Sequence, residues 1–210
     1  MARLLHISAS PRMERSHSLR AAEAFVAAYR EAHPRDTVDH LDVSTADIPA
    51  FDATLVSAKY RILHGEEATP AEREAWQAVE AVIEDFKSAD KFLFSAPMWN
   101  FGIPYRLKQY IDVIVQPGYT FSFSPDEGYK GLVTEKPAVV ILARGGTFAP
   151  GTPTASLDHQ KPYLDLVLGF MGITQVETLV IEPTLQGGPE EAKKKLDEAI
   201  ANAREKAKNF

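Results

Sequence analysis

The chain has 210 residues, of which 45% are apolar and 25% charged, and its net charge is −6. These values are typical of one globular domain over residues 1–210, and no apolar run approaches the ~20 residues of a membrane-spanning helix. The absence of cysteine excludes disulfides, thiolate metal sites and cysteine nucleophiles, and the acidic balance argues against nucleic-acid binding. We therefore expect a cytoplasmic protein without a membrane segment or a cleaved signal peptide.

Short apolar runs alternate with helical stretches along the chain. Five strands are predicted at Arg3 to Ser8, Thr37 to Asp42, Lys91 to Ala96, Pro137 to Ala143 and Gln175 to Glu182. Five helices are predicted at Ser18 to Glu31, from a Thr69/Glu72 capping box to about Lys87, at Tyr105 to Val115, around Pro162, and from near Pro189. This order predicts an α/β fold, a flavodoxin-like doubly wound five-stranded parallel sheet with helices on both faces.

Two segments between these elements are longer than packing requires, Ile48 to Ala68 and Gln116 to Lys136. Both are predicted as loops, and long loops in compact domains tend to be functional or mobile. Phe121 and Phe123 alternate with serines in the second segment, which indicates a hairpin arm. These two rings are candidate substrate contacts, or else a small hydrophobic cluster under the loop.

A serine-rich turn follows the first predicted strand. Four hydroxyls fall within the eleven residues from Ser8 to Ser18, where the next helix begins. Backbone N–H groups and hydroxyls at a helix N-terminus bind a phosphate through free donors and the positive end of the helix dipole. The alternative is that Ser16 only caps the helix and the other serines face solvent.

Two more loops follow the third and fourth strands, at the same edge of a parallel sheet. The first offers a thioether, two aromatic rings and an amide in consecutive positions: Met98, Trp99, Asn100 and Phe101. The second contains Gly145 and Gly146, which allow close backbone approach and positive φ. Arg144 before them is either a cation beside a ring or a structural ion-pair partner. A phosphate turn beside a slot for a flat ring is the arrangement that a flavin needs.

Several segments taken together resemble a known family. ISASPR with the following SHS, then APMWNFGIPYRLKQYID, LVTEKPAVVILARGG and PYLDLVLGFMGI, are similar to the FMN-dependent NADH:quinone oxidoreductases known as azoreductases. The resemblance implies a homodimer with one FMN per subunit near the interface. It also implies ping-pong hydride transfer from NADH or NADPH to quinones or azo compounds.

The same resemblance implies the residues that hold FMN. They are Ser10, Ser16, His17 and Ser18 for the phosphate, and Met98, Trp99, Asn100, Phe101, Ala143, Arg144, Gly145 and Gly146 for the isoalloxazine. Trp99 stands where the family commonly has tyrosine, and Ala143 where serine is common. Contacts through those hydroxyls are therefore in doubt, whereas backbone contacts are unaffected.

No catalytic acid or base is predicted, because hydride transfer needs alignment rather than a nucleophile. The six histidines show no metal-ligand spacing and are predicted at the surface or at strand ends. The helical spacing of Trp76 with its apolar neighbours predicts core packing. Two alternatives stay open at this point: a flavodoxin-like electron carrier without enzymatic activity, and a related FAD-binding quinone reductase.

Overall fold

A computed structural model describes residues 1–210 and contains a five-stranded parallel sheet in the order β2-β1-β3-β6-β7. Its strands are β1 (Arg3–Ser8), β2 (Thr37–Asp42), β3 (Lys91–Pro97), β6 (Ala138–Ala143) and β7 (Val176–Ile181). The five predicted strands are confirmed, with ends that differ by one residue at most. The order is that of a flavodoxin-like doubly wound sheet, as predicted.

Six α-helices cover the two faces of this sheet. They are α1 (His17–Ala32), α2 (Ala53–Leu63), α3 (Pro70–Ser88), α4 (Tyr105–Ile114), α5 (Lys161–Met171) and α6 (Gly188–Lys208). α1 and α6 contribute to the core cluster on one face, and α2 to α5 contribute to the larger cluster on the other. The capping box of Thr69 and Glu72 and the burial of Trp76 are both confirmed. None of the helices has the length and apolar character needed to cross a membrane.

The prediction of a loop from Ile48 to Ala68 is wrong, because α2 occupies its middle. Asp52 caps this helix by accepting a hydrogen bond from the N–H of Leu55 at 2.9 Å. The helix packs against α3, where Glu72 accepts from Ser57 at 2.5 Å. Only Leu55 and Ala58 of α2 are buried, so the apolar pattern that would indicate a packed helix is weak.

The second long segment contains an antiparallel hairpin of β4 (Phe121–Ser124) and β5 (Gly128–Gly131). The predicted hairpin arm is therefore confirmed. Its base lies against the end of α5, where the N–H of Val133 donates to the carbonyl of Met171 at 2.8 Å.

Candidate functional site

Three loops leave the sheet at neighbouring positions on its carboxyl edge. β1, β3 and β6 are adjacent in the sheet, and the loops that follow them contain the serine turn, the residues after Pro97 and the residues after Ala143. Backbone hydrogen bonds hold the loops together: Ala9 N donates to Ser95 O at 2.9 Å, and Met98 N donates to Ala143 O at 2.8 Å. The predicted loops are therefore brought to one place.

Ser10 is the most informative residue of the serine turn. It is 2% exposed, and its Oγ has no hydrogen-bond partner in the protein. An unpaired buried hydroxyl costs about 1–3 kcal/mol, so buried polar groups without a partner are uncommon and call for a physical reason. A ligand oxygen would supply the missing partner.

Ser16 and Ser18 are also buried, but their hydroxyls have partners. Ser16 Oγ accepts from the N–H of Leu19 at 3.2 Å and lies 3.2 Å from Ser18 Oγ. Ser16 is thus the N-cap of α1, so the capping alternative holds for this residue. The N–H groups of His17 and Ser18 precede the first intrahelical hydrogen bond and are free to donate. Together with Ser10 they form a set of donors suited to an anion.

His17 carries its side chain beside these donors. Burial lowers the pKa of the imidazole, and the nearby charges of Arg12 and Arg20 lower it further. The protonated form is disfavoured by the two arginines, which themselves give the turn its positive charge. A dianion bound here would favour the protonated form of His17 and so raise its pKa.

The loop after β3 makes a tight two-residue turn. Trp99 and Gly102 exchange both backbone hydrogen bonds at 2.9 Å, while Asn100 has φ 46° and Phe101 has φ 70°. Left-handed backbone at a residue other than glycine is uncommon and costs about 1–3 kcal/mol, and such strain concentrates at functional sites. The N–H of His159 donates to the carbonyl of Phe101 at 2.9 Å. The turn is thereby held in position although its side chains are exposed.

The two glycines after β6 do not use the positive φ that glycine allows, since neither Gly145 nor Gly146 has positive φ. A Cβ at Gly145 would lie 3.0 Å from Leu185 Cδ1, and the carbonyl of Gly145 accepts from the N–H groups of Leu185 and Gln186. Gly145 therefore packs closely against the loop that follows β7.

Arg144 is a buried ion-pair partner. Its Nη2 lies 2.8 Å from Asp158 Oδ2, its Nη1 lies 3.3 Å from Glu182 Oε2, and its Nε donates to Gln160 Oε1 at 3.1 Å. The side chain is 3% exposed. Of the two alternatives for Arg144, the structure favours the ion pair. Its backbone is engaged as well, since its N–H donates to Ile181 O at 3.0 Å and its carbonyl accepts from the N–H of Thr184 at 2.8 Å.

A cavity of about 890 Å³ opens beside the Trp99–Gly102 turn, between α4 and α5. Its aromatic lining consists of Phe51, Trp99, Tyr105 and Tyr163, and its polar lining includes Asn100 and His159. Sequence reasoning missed all of these residues except Trp99 and Asn100. A signal was present: a Pro-Tyr pair stands at the start of both α4 and α5.

Phe121 and Phe123 lie far from these loops within one chain. α5 connects the carboxyl end of β6 to the amino end of β7, so its last residues lie at the opposite edge of the sheet, where the hairpin packs. The ring of Phe121 lies 4.7 Å from the ring of Phe170 on that helix, tilted by 51°, while Phe123 is 60% exposed. The two rings therefore do not contact the site of their own chain.

His6 does not have the environment predicted for the histidines. It is buried, stacked on His40 at 4.6 Å between ring centres, and its Nε2 lies 2.9 Å from Ser95 Oγ. Burial, and then the charge of His40, lower the pKa of His6 to about 3. The prediction of a surface or strand-end role is wrong for this residue, because its strand is central in the sheet.

Comparisons with known proteins agree with this geometry. The sequence profile described as a flavodoxin-like fold matches residues 2–207. An FMN-dependent NADH:quinone oxidoreductase of Nitratidesulfovibrio vulgaris is 52% identical over 210 residues, all of both chains, and one of Desulfotalea psychrophila is 46% identical over 88% of this chain and 87% of its own.

Solved structures show the same likeness. An azoreductase from Bacillus anthracis strain Sterne superposes with a TM-score of 0.92 at 33% identity, covering all of both chains. An FMN-dependent NADH-azoreductase from Bacillus anthracis strain Ames Ancestor, solved in complex with FMN, has a TM-score of 0.87 at 26% identity and covers 99% of this chain and all of its own. The chain therefore belongs to the flavodoxin-like fold family and, within it, to the FMN-dependent NADH:quinone oxidoreductases.

Proposed function

We propose that this protein is an FMN-dependent NADH:quinone oxidoreductase that also cleaves aromatic azo bonds. The observation that carries the proposal is the unpaired, buried hydroxyl of Ser10 in the turn at the start of α1. It stands on the same sheet edge as the strained Asn100–Phe101 turn. The names of relatives up to 52% identical over the full length support the same function.

The residues present fit FMN. Ser10, with the N–H groups of His17 and Ser18 at the start of α1, would hold the phosphate, and Ser16 shapes the turn as the cap. Met98, Trp99, Asn100 and Phe101, together with Ala143, Arg144, Gly145 and Gly146, would surround the isoalloxazine, with the N–H groups of Gly145 and Gly146 as backbone donors on that side. Backbone donors suit this role because they do not depend on the hydroxyls that Trp99 and Ala143 lack.

When bound, FMN supplies the redox chemistry, accepting hydride from NADH and passing reducing equivalents to the acceptor. The chain supplies binding and alignment. Trp99, Tyr105 and Tyr163 line an open cavity beside the ring slot and would orient a flat acceptor by stacking and by excluding water. No side chain is needed as a nucleophile.

We further propose that the active unit is a homodimer of this single 1–210 domain. Phe123 and Tyr129 are exposed at the hairpin, and Tyr105 and Leu166 are exposed at the cavity. A second copy would cover both surfaces at once if the hairpin of one chain met the cavity of the other. Phe121 and Phe123 would then close the site of the partner subunit.

The net charge of the chain and its electron donor bear on its other partners and on its location in the cell. A chain with a net charge of −6 lacks the basic surface that nucleic acid requires, and we propose neither nucleic acid nor a membrane as a partner. NADH is a cytoplasmic donor, which supports a cytoplasmic location.

Turnover with two acceptors tests the proposed function. The purified protein is expected to be yellow, to release FMN on denaturation, and to reduce menadione and methyl red with NADH, with NADPH run in parallel to find the donor preference. Colourless protein that gains no flavin on incubation with FMN would contradict the proposal. Bound FMN without NADH oxidation would indicate an electron carrier, and release of FAD would indicate the other quinone reductases.

A further inference from the structure

The hairpin and the end of α5 meet at two glycines whose backbones touch. A Cβ added to Gly131 would lie 2.3 Å from the backbone N of Gly172 and 2.5 Å from its Cα. Gly172 ends α5 with φ +103°, and a Cβ there would lie 3.2 Å from the carbonyl carbon of Gly131 and from Val133 O. The neighbours of a Cβ at Gly131 are all backbone atoms, so no side-chain rotation relieves that overlap; at Gly172 the side chain of Thr134 is also 3.2 Å away, but the positive φ alone disfavours a side chain. Both positions therefore require glycine.

This close contact between the backbones of Gly131 and Gly172, the Gly131–Gly172 crossing, fixes the position of the hairpin on α5. The N–H of Val133 donates to the carbonyl of Met171 at 2.8 Å directly beside it. Carbon atoms in contact are normally 3.5–4.0 Å apart, so a methyl group at Gly131 forces the hairpin and the helix apart by about 1 Å.

The aromatic residues of the hairpin depend on this position. Phe121 pairs with Gly131 across the ladder, and Phe123 pairs with Tyr129 two positions farther along. Phe121 and Tyr129 stand 4.7 Å and 5.5 Å from the ring of Phe170. Phe123 and Tyr129 are nevertheless 60% and 67% exposed. The base of the hairpin is fixed, and its outer rings are free to meet another surface.

We propose that the Gly131–Gly172 crossing positions the hairpin aromatics for acceptor binding, which makes Gly131 a positioning residue for the reaction. The inference rests on the proposed function, in which this hairpin closes the site of the partner subunit. The crossing touches neither the serine turn nor the loops after β3 and β6, which lie at the other edge of the sheet. Its effect falls on the acceptor and leaves the FMN contacts of its own chain unchanged.

The test compares Gly131→Ala with a matched control, Gly169→Ala. Gly169 lies on α5 three residues before the crossing, its φ is negative, and nothing lies within 4 Å of a Cβ built there. In Gly131→Ala we expect KM for menadione and for methyl red to rise about 10-fold or more, since misplacement by about 1 Å has effects of that size. Turnover with ferricyanide at saturating NADH is expected to change less than twofold, because ferricyanide is a small one-electron acceptor that needs no stacking. Gly169→Ala is expected to match the wild type in all three assays.

Two binding measurements accompany the kinetics. The affinity for FMN, followed by quenching of flavin fluorescence, is expected to be the same in Gly131→Ala and the wild type. The affinity of the FMN-loaded protein for methyl red without NADH, followed by dye absorbance, is expected to fall with the rise in KM. A Gly131→Ala protein that binds methyl red as the wild type does overturns the inference.

Phe123→Ala separates this inference from the proposed function and replaces Gly131→Ala if that variant does not fold. It removes the exposed ring without touching the crossing, and it is expected to raise the same KM values. In the double variant the two effects are expected to be less than additive, because both act through one ring.

If Phe123→Ala raises KM and Gly131→Ala does not, the inference is wrong and the proposed role of the hairpin stands. If neither variant raises KM while menadione is reduced, the hairpin does not form the acceptor site and both ideas about it are wrong. If menadione is not reduced by the wild type, the proposed function itself is wrong.

Discussion

Replacing Ser10 with alanine is expected to weaken FMN binding without weakening the fold. The Ser10 hydroxyl is buried and has no partner in the protein, so the FMN-free protein loses no hydrogen bond when it is removed. Its free energy of unfolding is expected to stay the same or to rise by up to about 1 kcal/mol. A hydrogen bond to a charged group contributes about 1.5–3 kcal/mol. The dissociation constant for FMN is therefore expected to rise about 10- to 150-fold.

Two measurements on the FMN-free protein check this expectation: titration with FMN followed by flavin fluorescence, and urea unfolding. Ser16→Ala is the matched control, because Ser16 Oγ caps α1 and loss of an N-cap costs about 1 kcal/mol of stability. Ser10→Ala should change affinity and not stability, whereas Ser16→Ala should lower stability. An unchanged FMN affinity in Ser10→Ala, or a loss of stability equal to that of Ser16→Ala, would refute the reasoning.

Three further predictions concern the fold and the site. Hydrogen bonds, of which the one from Ser57 contributes most, lower the pKa of Glu72 to about 2. The ionised Glu72 therefore stabilises the fold fully above the ordinary pKa of 4.5, and this stabilisation is lost as the pH falls towards 2. Glu72→Gln should lower the urea midpoint at pH 7, and the difference between the urea midpoints of the variant and the wild type should become smaller from pH 5 to pH 3. A difference that does not change with pH would argue against the lowered pKa of Glu72. Arg144→Met removes the counter-ion of the two mostly buried carboxylates of Asp158 and Glu182 and should cost about 3 kcal/mol in urea unfolding; a loss below about 1 kcal/mol would show that the pairs are not needed. Phe101→Gly should be more stable than Phe101→Ala by about 1 kcal/mol, because only the backbone at φ 70° separates the two variants; equal stabilities would mean that this φ carries no strain.

The three inner strands of the sheet, β1, β3 and β6, could be predicted from sequence because they are buried on both sides. Runs such as Phe92 to Phe94 and Ala138 to Ala143 are continuous, short and apolar, which is typical of central parallel strands. The start of α3 at Thr69 could also be predicted from the sequence, since the residues of a capping box are close together in the chain. α2 was not, because its apolar residues Tyr60 and Leu63 are exposed and give no clear core-facing stripe.

The site could be predicted only as a set of loops, and the role of each side chain depended on distant partners. Nothing in the serine turn itself shows that Ser10 is the free hydroxyl. Ser8 is engaged because His40, on another strand, lies 2.8 Å away. Arg144 is withdrawn from the site by Asp158 and Glu182, which follow it by 14 and 38 residues. Long-range pairings of this kind leave no local pattern in a single sequence.

The pattern of steady-state NADH oxidation, with NADH and menadione varied together, tests the central claim most directly. If one site binds FMN and serves the donor and the acceptor in turn, the double-reciprocal plots are parallel, and removal of FMN abolishes turnover until FMN is added back. Intersecting plots, or NADH-dependent quinone reduction that persists without flavin, would contradict the account.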